Sequence, residues 1–291
     1  MSDMKKTYKI AGITVAVETP FETEECDSFK PYLTSNEKED LLYCFKYGTP
    51  ETCTGKLLFE NPFLKTYLQG EEIFRDFYIP YDDSLCTRIV RSKENANVFE
   101  CTCVPEKAFY FAETWNVFNA VGIESLLIEK KRIILHSSHI RVGDKAILFS
   151  APSGTGKSTQ ASLWEQYEGA EIINGDRTAL AIDNSVVTAY GLPIAGSSNI
   201  YKNVTSPLGA VVVIRQAKEN SVKRIGAREA FKWLLSETTV SSWIPGFYEN
   251  VVELLFEIVQ STPVYMLECT PDREAVECLK KVLTEDKICL F

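Results

Sequence analysis

Long hydrophobic runs are missing from this chain. No stretch approaches the ~18 apolar residues that a membrane helix needs, and the apolar segment 11–17 is too short for a span or for the core of a secretion signal. The first six residues are polar apart from Met1 and Met4. Neither a membrane partner nor a targeting segment is therefore expected. C-x-x-C pairs are missing as well, although the chain has nine cysteines. An odd count without a secretion signal does not fit a disulfide framework, so free thiols in a reducing cytoplasm are expected. Cys101 and Cys103 would lie on one side of a strand, but no second pair or nearby histidine turns them into a zinc site. Positive charge is in deficit, with 31 Lys and Arg against 40 Asp and Glu and a net charge of −9. Such a surface repels a phosphate backbone, which excludes a dedicated nucleic-acid binder but leaves room for a local basic pocket holding one small anion. Internal repeats and low-complexity segments are also absent, and there are only two histidines, His136 and His139.

What remains is an ordinary globular composition, 45% hydrophobic and 24% charged over 291 residues. That length suggests two domains or one large one, with a full core. The region 1–112 reads as strand-rich. Residues 8–17 alternate as a strand, and 29–45 carry a helical pattern with Thr34-Ser35-Asn36 as a cap region before Glu37. Strands are expected at 56–59, 63–69, 73–79, 85–91 and 97–104, with a hairpin connection at 93–97. No catalytic constellation is visible there, and substrate docking, dimerisation and structural support are its open roles.

The region 113–291 mixes strands with helices. Helices are expected at 113–129, 157–167, 228–236, 249–259 and 272–283, the last with Pro271 near its first turn. Strands are expected at 132–136, 145–149, 171–174, 210–215 and 264–268. Residues 178–182 and 186–190 form a hairpin around Asp183-Asn184-Ser185, so the sheet is mixed rather than all parallel. The expected class is α/β, a mixed-sheet core preceded by a strand-rich N-terminal domain.

One segment carries chemistry. Ala151-Pro152-Ser153-Gly154-Thr155-Gly156-Lys157-Ser158-Thr159 satisfies a Walker A pattern with Ala in place of the first Gly. A strand precedes it and a helix follows, as a P-loop requires. Gly154 and Gly156 let successive N–H groups aim at one concavity, and the helix N-terminus adds its positive end. Lys157 would reach the β- and γ-phosphates, and the Ser158 hydroxyl would ligate Mg²⁺. Asp176 lies 19 residues after Lys157, one helix and one strand later, where a carboxylate can hold the metal or accept a proton. His136 ends the strand at 132–136 beside this site. His139 is the weaker candidate of the two, since a hydrogen-bonded structural histidine is the commoner role.

Leu135-His136-Ser137-Ser138, the run Ser153 to Ser158 and the acidic strand end at Asp176 resemble the catalytic core of the HPr kinase/phosphorylase family. That core is shared with the ATP-dependent phosphoenolpyruvate carboxykinases, whose P-loop also reads S-G-T-G-K. Gly175-Asp176-Arg177, Tyr190-Gly191-Leu192-Pro193 and Gly196-Ser197-Ser198 resemble the HPr-kinase-like proteins outside the founding enzymes, among them kinases of seryl side chains. The resemblance covers roughly residues 130–285. It implies a P-loop kinase core, ATP and Mg²⁺ as cofactors, and a peptide, protein or small-molecule hydroxyl as acceptor. It places the nucleotide on Ser153, Gly154, Thr155, Gly156, Lys157, Ser158 and Thr159, the metal on Ser158 and Asp176, and catalysis on Asp176 and His136. The founding kinases carry two adjacent acidic residues where this chain has Gly175-Asp176, so a single carboxylate is expected here, with His136 assisting. They form hexamers, but the differing N-terminal half leaves homo-oligomerisation open. The rival function is a non-catalytic nucleotide-binding regulator or scaffold. A carboxykinase-like enzyme lacks support, since the chain is short and shows no additional His and Lys ligands.

Weaker candidates are Arg177, which a continued strand would point away, and the polar loop Gly196-Ser197-Ser198-Asn199. Arg215, Lys218 and Arg224 are read first as solvated charges. Trp233, Trp243 and Tyr248 are read as core rather than as adenine platforms.

Overall fold

Strands dominate the N-terminal part of the chain. The computed structural model describes residues 4–35, 37–79 and 84–288, and it divides into two units, Met1–Leu126 with Ser241–Pro245 and Leu127–Val240 with Gly246–Phe291. Two large mixed sheets, one in each unit, make the protein a mixed α/β structure.

In the first unit the strands are β1 (Met4–Ile10), β2 (Ile13–Thr19), β3 (Leu33–Thr34), β4 (Leu41–Tyr47), β5 (Lys56–Glu60), β6 (Leu64–Gln69), β7 (Glu72–Tyr78), β8 (Leu85–Arg91) and β9 (Val98–Cys103). Their spatial order is β3-β1-β2-β4-β9-β8-β7-β6-β5. The β2–β4 and β4–β9 pairs are parallel and the rest antiparallel. Helices α1 (Thr114–Val121) and α2 (Ile123–Glu129) follow. Phe118 stacks on Phe29 and meets Tyr8 edge-on, and all three rings are buried.

Three expectations for this region are corrected. The single strand at 8–17 is a hairpin, because Ala11 and Gly12 both take positive φ (49° and 76°), the two-residue turn that suits strand twist. The helix at 29–45 does not form. One 3-10 turn at Lys30–Tyr32 leads to β3 and β4, and in β4 Leu41, Tyr43 and Phe45 are buried while Leu42 and Cys44 are half-buried. That is strand alternation; the buried Phe29 and Tyr32, three residues apart, mimic a helical stripe. The Asn36 of the expected cap lies outside the described residues. The helix at 113–129 breaks in two at Gly122, whose φ of 72° is left-handed and whose Cβ, if present, would stand 3.1 Å from the Trp243 ring.

The second unit holds β10 (Ile133–Val142), β11 (Lys145–Ser150), α3 (Lys157–Glu168), β12 (Glu171–Asn174), β13 (Arg177–Asp183), β14 (Val186–Gly191), β15 (Thr205–Gln216), β16 (Ser221–Ile225), α4 (Ala227–Glu237), α5 (Phe247–Ser261), β17 (Val264–Cys269) and α6 (Arg273–Glu285). The strand order is β11-β10-β13-β14-β15-β17-β16, with β12 also on β10 and β11 also on β15. β11, β15 and β17 run parallel, and the other pairs are antiparallel. The core between this sheet and α3 and α6 is built by Ile147, Phe149, Trp164, Val212, Leu267 and Leu279, all at 0% exposure. Side chains of that size stabilise by roughly 1.5–3 kcal/mol each when buried. Helix α6 starts on Asp272, whose side chain accepts the Ala275 N–H at 3.0 Å.

The expected strand at 132–136 runs on to Val142 as β10, so His136 sits inside a strand rather than at its end. Ser137, Ser138 and His139 are all at 0% exposure, and these buried polar residues hide the strand from a hydrophobicity pattern. The charged β16 was not expected from sequence; its Val222 and Ile225 pair with β17. The hairpin at Asp183-Asn184-Ser185 forms as expected, with positive φ at Asn184 and Ser185. Among the described residues no helix is long and apolar enough to cross a membrane.

Candidate active site

The site is assembled at the end of β11. Three buried apolar residues, Ile147, Leu148 and Phe149, fix that strand between β10 and β15. Ser150 ties its end to the neighbouring strand, its hydroxyl donating to the His136 carbonyl at 3.0 Å. The chain then turns through Ala151–Gly156 into α3. Gly154 and Gly156 take φ of 77° and 121°, and nothing lies within 4 Å of a Cβ added to either. Glycine is needed there for its backbone freedom, not for space. The strand, turn and helix follow one another as expected from sequence. Helix α3 begins with no side-chain cap, so the positive end of its dipole and its first N–H groups are unquenched by protein side chains.

A cavity of about 260 Å³ opens against this turn. Its walls include Ser153, Gly154, Gly156, Lys157, Ser158 and Thr159 on one side, and His136 and Asp176 with Gly175, Ala195, Ser197 and Ser198 on the other. Thr155 is not among its walls; its N–H donates to the Pro152 carbonyl and its carbonyl accepts from Gln216 Nε2. Lys157 is only 7% exposed, and its ammonium donates to the carbonyls of Ala151 (2.8 Å) and Pro152 (3.5 Å). Among the described residues no carboxylate lies within ion-pair distance of it. Burial pushes its pKa below the ordinary lysine value, while the Glu237 and Asp176 carboxylates pull it back up.

Asp176 is delivered by an interruption in a ladder. β12 and β13 pair with successive parts of one edge of β10, and Gly175-Asp176 fall between them. The gap is held by Ser137 N–H to the Asp176 carbonyl and Ser138 Oγ to the Gly175 carbonyl, both 2.9 Å. Asn174, fully buried, locks the turn. Its Oδ1 accepts the N–H groups of Asp176 and Arg177 at 2.9 Å, and its Nδ2 donates to the carbonyls of Leu192 and Ile194. The turn also redirects Arg177, whose Nε lies 3.3 Å from Asp176 Oδ2 instead of pointing away.

His136 stands between two carboxylates. Its Nε2 is 3.5 Å from Asp176 Oδ1, and its Nδ1 is 2.9 Å from Glu237 Oε2. The expectation of a single carboxylate is therefore corrected: Glu237, from the end of α4, supplies a second. The structure also explains why position 175 is not acidic. A Cβ on Gly175 would meet Ser198 Oγ at 2.4 Å and its Cβ at 2.5 Å, and one on Gly196 would meet Asp176 Cγ at 2.8 Å. The 195–198 loop closes directly over Asp176, and both glycines are required for that approach.

Sequence reading missed Glu237, which is far from the motif in sequence. One local signal existed. A carboxylate at a helix C-terminus opposes the macrodipole, and α4 has no basic residue in its last turn to offset it. The bridge between Thr238 and Leu135 then brings that helix end to β10. His139 takes no part in the site. It is fully buried, neither ring nitrogen has a partner, and burial lowers its pKa to about 3. Arg215 pairs with Glu268, as a solvated charge does. Trp233 and Trp243 are half-buried and Tyr248 exposed, so none of the three is core.

Among the described residues no group of three or more His, Cys, Asp or Glu side chains is arranged to hold a metal ion. The donors on the cavity wall, a Ser158 hydroxyl and an Asp176 carboxylate, are the few hard oxygens that suit Mg²⁺ completed by phosphate and water. Comparison with known protein families finds no match, and none is found among curated proteins. Among solved structures the chain is similar to the Hpr(Ser) kinase/phosphatase from Coxiella burnetii. The TM-score is 0.30 and the identity 10%, over 53% of this chain and 89% of that one. A likeness at that level carries no weight beside the geometry of the cavity.

Proposed function

We propose that this protein is an ATP- and Mg²⁺-dependent phosphotransferase with an HPr-kinase-like P-loop core, acting in the cytoplasm on a hydroxyl of a peptide, protein or small molecule. The observation that carries this reading is the shared cavity. A buried lysine with no carboxylate partner among the described residues, two left-handed glycines and an uncapped helix N-terminus share the cavity with Asp176 and His136, and Glu237 holds His136 from behind. The first group of features complements phosphate oxygens, and the second suits a hydroxyl that must lose a proton.

Lys157 and the N–H groups of the 153–159 segment bind the phosphates, except that of Thr155, which donates to the Pro152 carbonyl. Ser158 and Asp176 are the residues that would hold Mg²⁺, which neutralises charge on the phosphate oxygens when bound. Glu237 accepts the His136 Nδ1 proton, which leaves Nε2 as the acceptor on the side of Asp176. An acceptor hydroxyl lying against Nε2 gives its proton to His136 as its oxygen takes the γ-phosphoryl group, and ADP departs with the bridging electron pair. Loose phosphoryl transfer needs little base strength, so orientation by His136 counts for more than basicity.

Incubation of the full chain with γ-labelled ATP, Mg²⁺ and a panel of seryl peptides, proteins and hydroxylated small molecules tests the reading. Transfer of label that vanishes in Asp176→Asn supports it. ATP binding with no transfer to any acceptor would instead favour a non-catalytic nucleotide-binding regulator.

A further inference from the structure

A second cavity, of about 370 Å³, lies within the first unit and belongs to no part of the proposed phosphotransfer site. Its size falls in the range of small-molecule sites, about 300–1,000 Å³. Phe63, Phe77, Tyr110 and Trp243 give it aromatic walls. Arg75 also lines it, and is only 7% exposed. One guanidinium nitrogen, Nη2, donates to the carbonyls of Ala120 (2.7 Å) and Val121 (2.5 Å), and the group stacks 4.7 Å from the centre of the Trp243 ring. Its Nε has no partner, and among the described residues no carboxylate is within ion-pair distance.

The contrast with the adjacent pair on the same strand is direct. Asp76 and Arg88 face each other across β7 and β8 and share two contacts of 2.6 Å, through Nε and Nη2. Arg75 has the same chemistry and no such partner. A second unsatisfied group lies beside it: Thr66, its cross-strand neighbour on β6, is fully buried with an unpartnered Oγ1. Buried donors are seldom left unpaired, and a buried cation without a counter-ion is rarer still. Burial also lowers the Arg75 pKa from its usual range, and the Glu124 carboxylate only partly opposes it. Glu124 on the same wall limits the ligand's charge, since a dianion would be repelled there.

We infer that this cavity binds a small monocarboxylate with an aromatic or branched apolar body, the carboxylate on Arg75 and the body among the four aromatic rings. Such a group is offered equally by a free organic acid and by the C-terminal residue of a peptide. The test is calorimetric titration of the full chain with 3-phenylpropionate, 3-phenylpropionamide and a short peptide ending in a free C-terminal Phe. The acid should bind saturably at one site, and the amide at least about tenfold more weakly, as loss of a charge-assisted contact implies. Arg75→Met should abolish binding. Should that variant fail to fold, Phe63→Glu keeps the test alive, because Phe63 is 40% exposed and its replacement puts a negative charge on the cavity wall. Its affinity for the acid should fall about tenfold. In the unaltered protein the Arg75 Nε–H resonance should move on adding the acid and stay put with the amide. A peptide that binds more tightly than the free acid assigns the cavity to peptide C-termini, and the reverse order assigns it to free acids. Equal binding of acid and amide, no saturable binding by either acid or peptide, or an unchanged affinity in Phe63→Glu would overturn the inference.

Discussion

Lys157 and Arg75 are both buried cations whose protein partners are backbone carbonyls, one in each unit. Their surroundings differ. Around Lys157 the walls are glycines, hydroxyls and a helix N-terminus, a set that complements several phosphate oxygens at once. Around Arg75 they are aromatic rings, which complement one anionic group on an apolar body. The lesson is that a buried cation whose direct partners are carbonyls can take an anionic group, and the material around it selects which. The first cavity also has on its wall a histidine held between carboxylates, the arrangement that suits taking a proton from a bound hydroxyl.

The largest effect expected is on turnover in the first of these cavities. Asp176→Asn should cut phosphoryl transfer by about 10²–10³, since a neutral amide does not replace the charge that offsets the metal. His136→Ala should cost less, about 10², because it removes proton acceptance and orientation from a loose transition state. Steady-state rates with a working acceptor check both, and both variants should keep the response of the aromatic cavity to 3-phenylpropionate. Equal loss in the two variants would break the assignment of distinct roles.

Gly175→Ala should act through space alone. Its Cβ has to displace Ser198 from 2.4 Å, so overpacking should cost about 1–3 kcal/mol in denaturant unfolding and lower turnover by shifting Asp176. Wild-type stability in this variant would mean that the 195–198 loop is not seated on Asp176.

Glu237→Gln should be milder, about tenfold in turnover with nucleotide affinity retained, since the amide oxygen still accepts from Nδ1 but no longer stabilises a charged ring. Steady-state rates and ATP titration check this, and wild-type turnover in the variant would remove Glu237 from the reaction.

How much of this was legible in sequence follows the range of the interactions involved. The glycine-rich turn, its strand and its helix are local, and their residues read correctly. Asp176 was placed by spacing, and one helix and one strand later the chain does return to the cavity, along the edge of β10. β10 was cut short at His136 because Ser137, Ser138 and His139 are buried yet polar, the Ser137 hydroxyl donating to the Leu135 carbonyl and Thr178 Oγ1 and the Ser138 hydroxyl to the Gly175 carbonyl. The false helix at 29–45 arose from Phe29 and Tyr32, whose burial reflects tertiary packing rather than helical spacing. Glu237 and the Arg75 cavity depend on residues that sequence separates widely, such as β7 and Trp243, and no local pattern joins them.

The smallest effect on the phosphate site separates the two histidines. His139 keeps a pKa of about 3 against an ordinary 6.5, so the folded protein resists taking up a proton that the unfolded chain accepts. Its contribution is intact above pH 6.5 and is lost as pH falls toward 3, by up to about 1.4 kcal/mol per pH unit. His139→Leu should flatten that part of the stability–pH curve and leave ATP affinity unchanged, as thermal unfolding and calorimetry at a series of pH values will show.

The central claim, that the cavity at the end of β11 takes the phosphates of a nucleotide, is tested most directly by calorimetric titration of Mg²⁺·ATP into the wild-type protein and Lys157→Ala. One saturable site is expected, with an affinity that falls about ten- to a hundredfold in the variant, the loss of a charge-assisted contact worth roughly 1.5–3 kcal/mol, and with the fold intact by circular dichroism. Equal affinity in the two proteins, or no binding by the wild type, would contradict it.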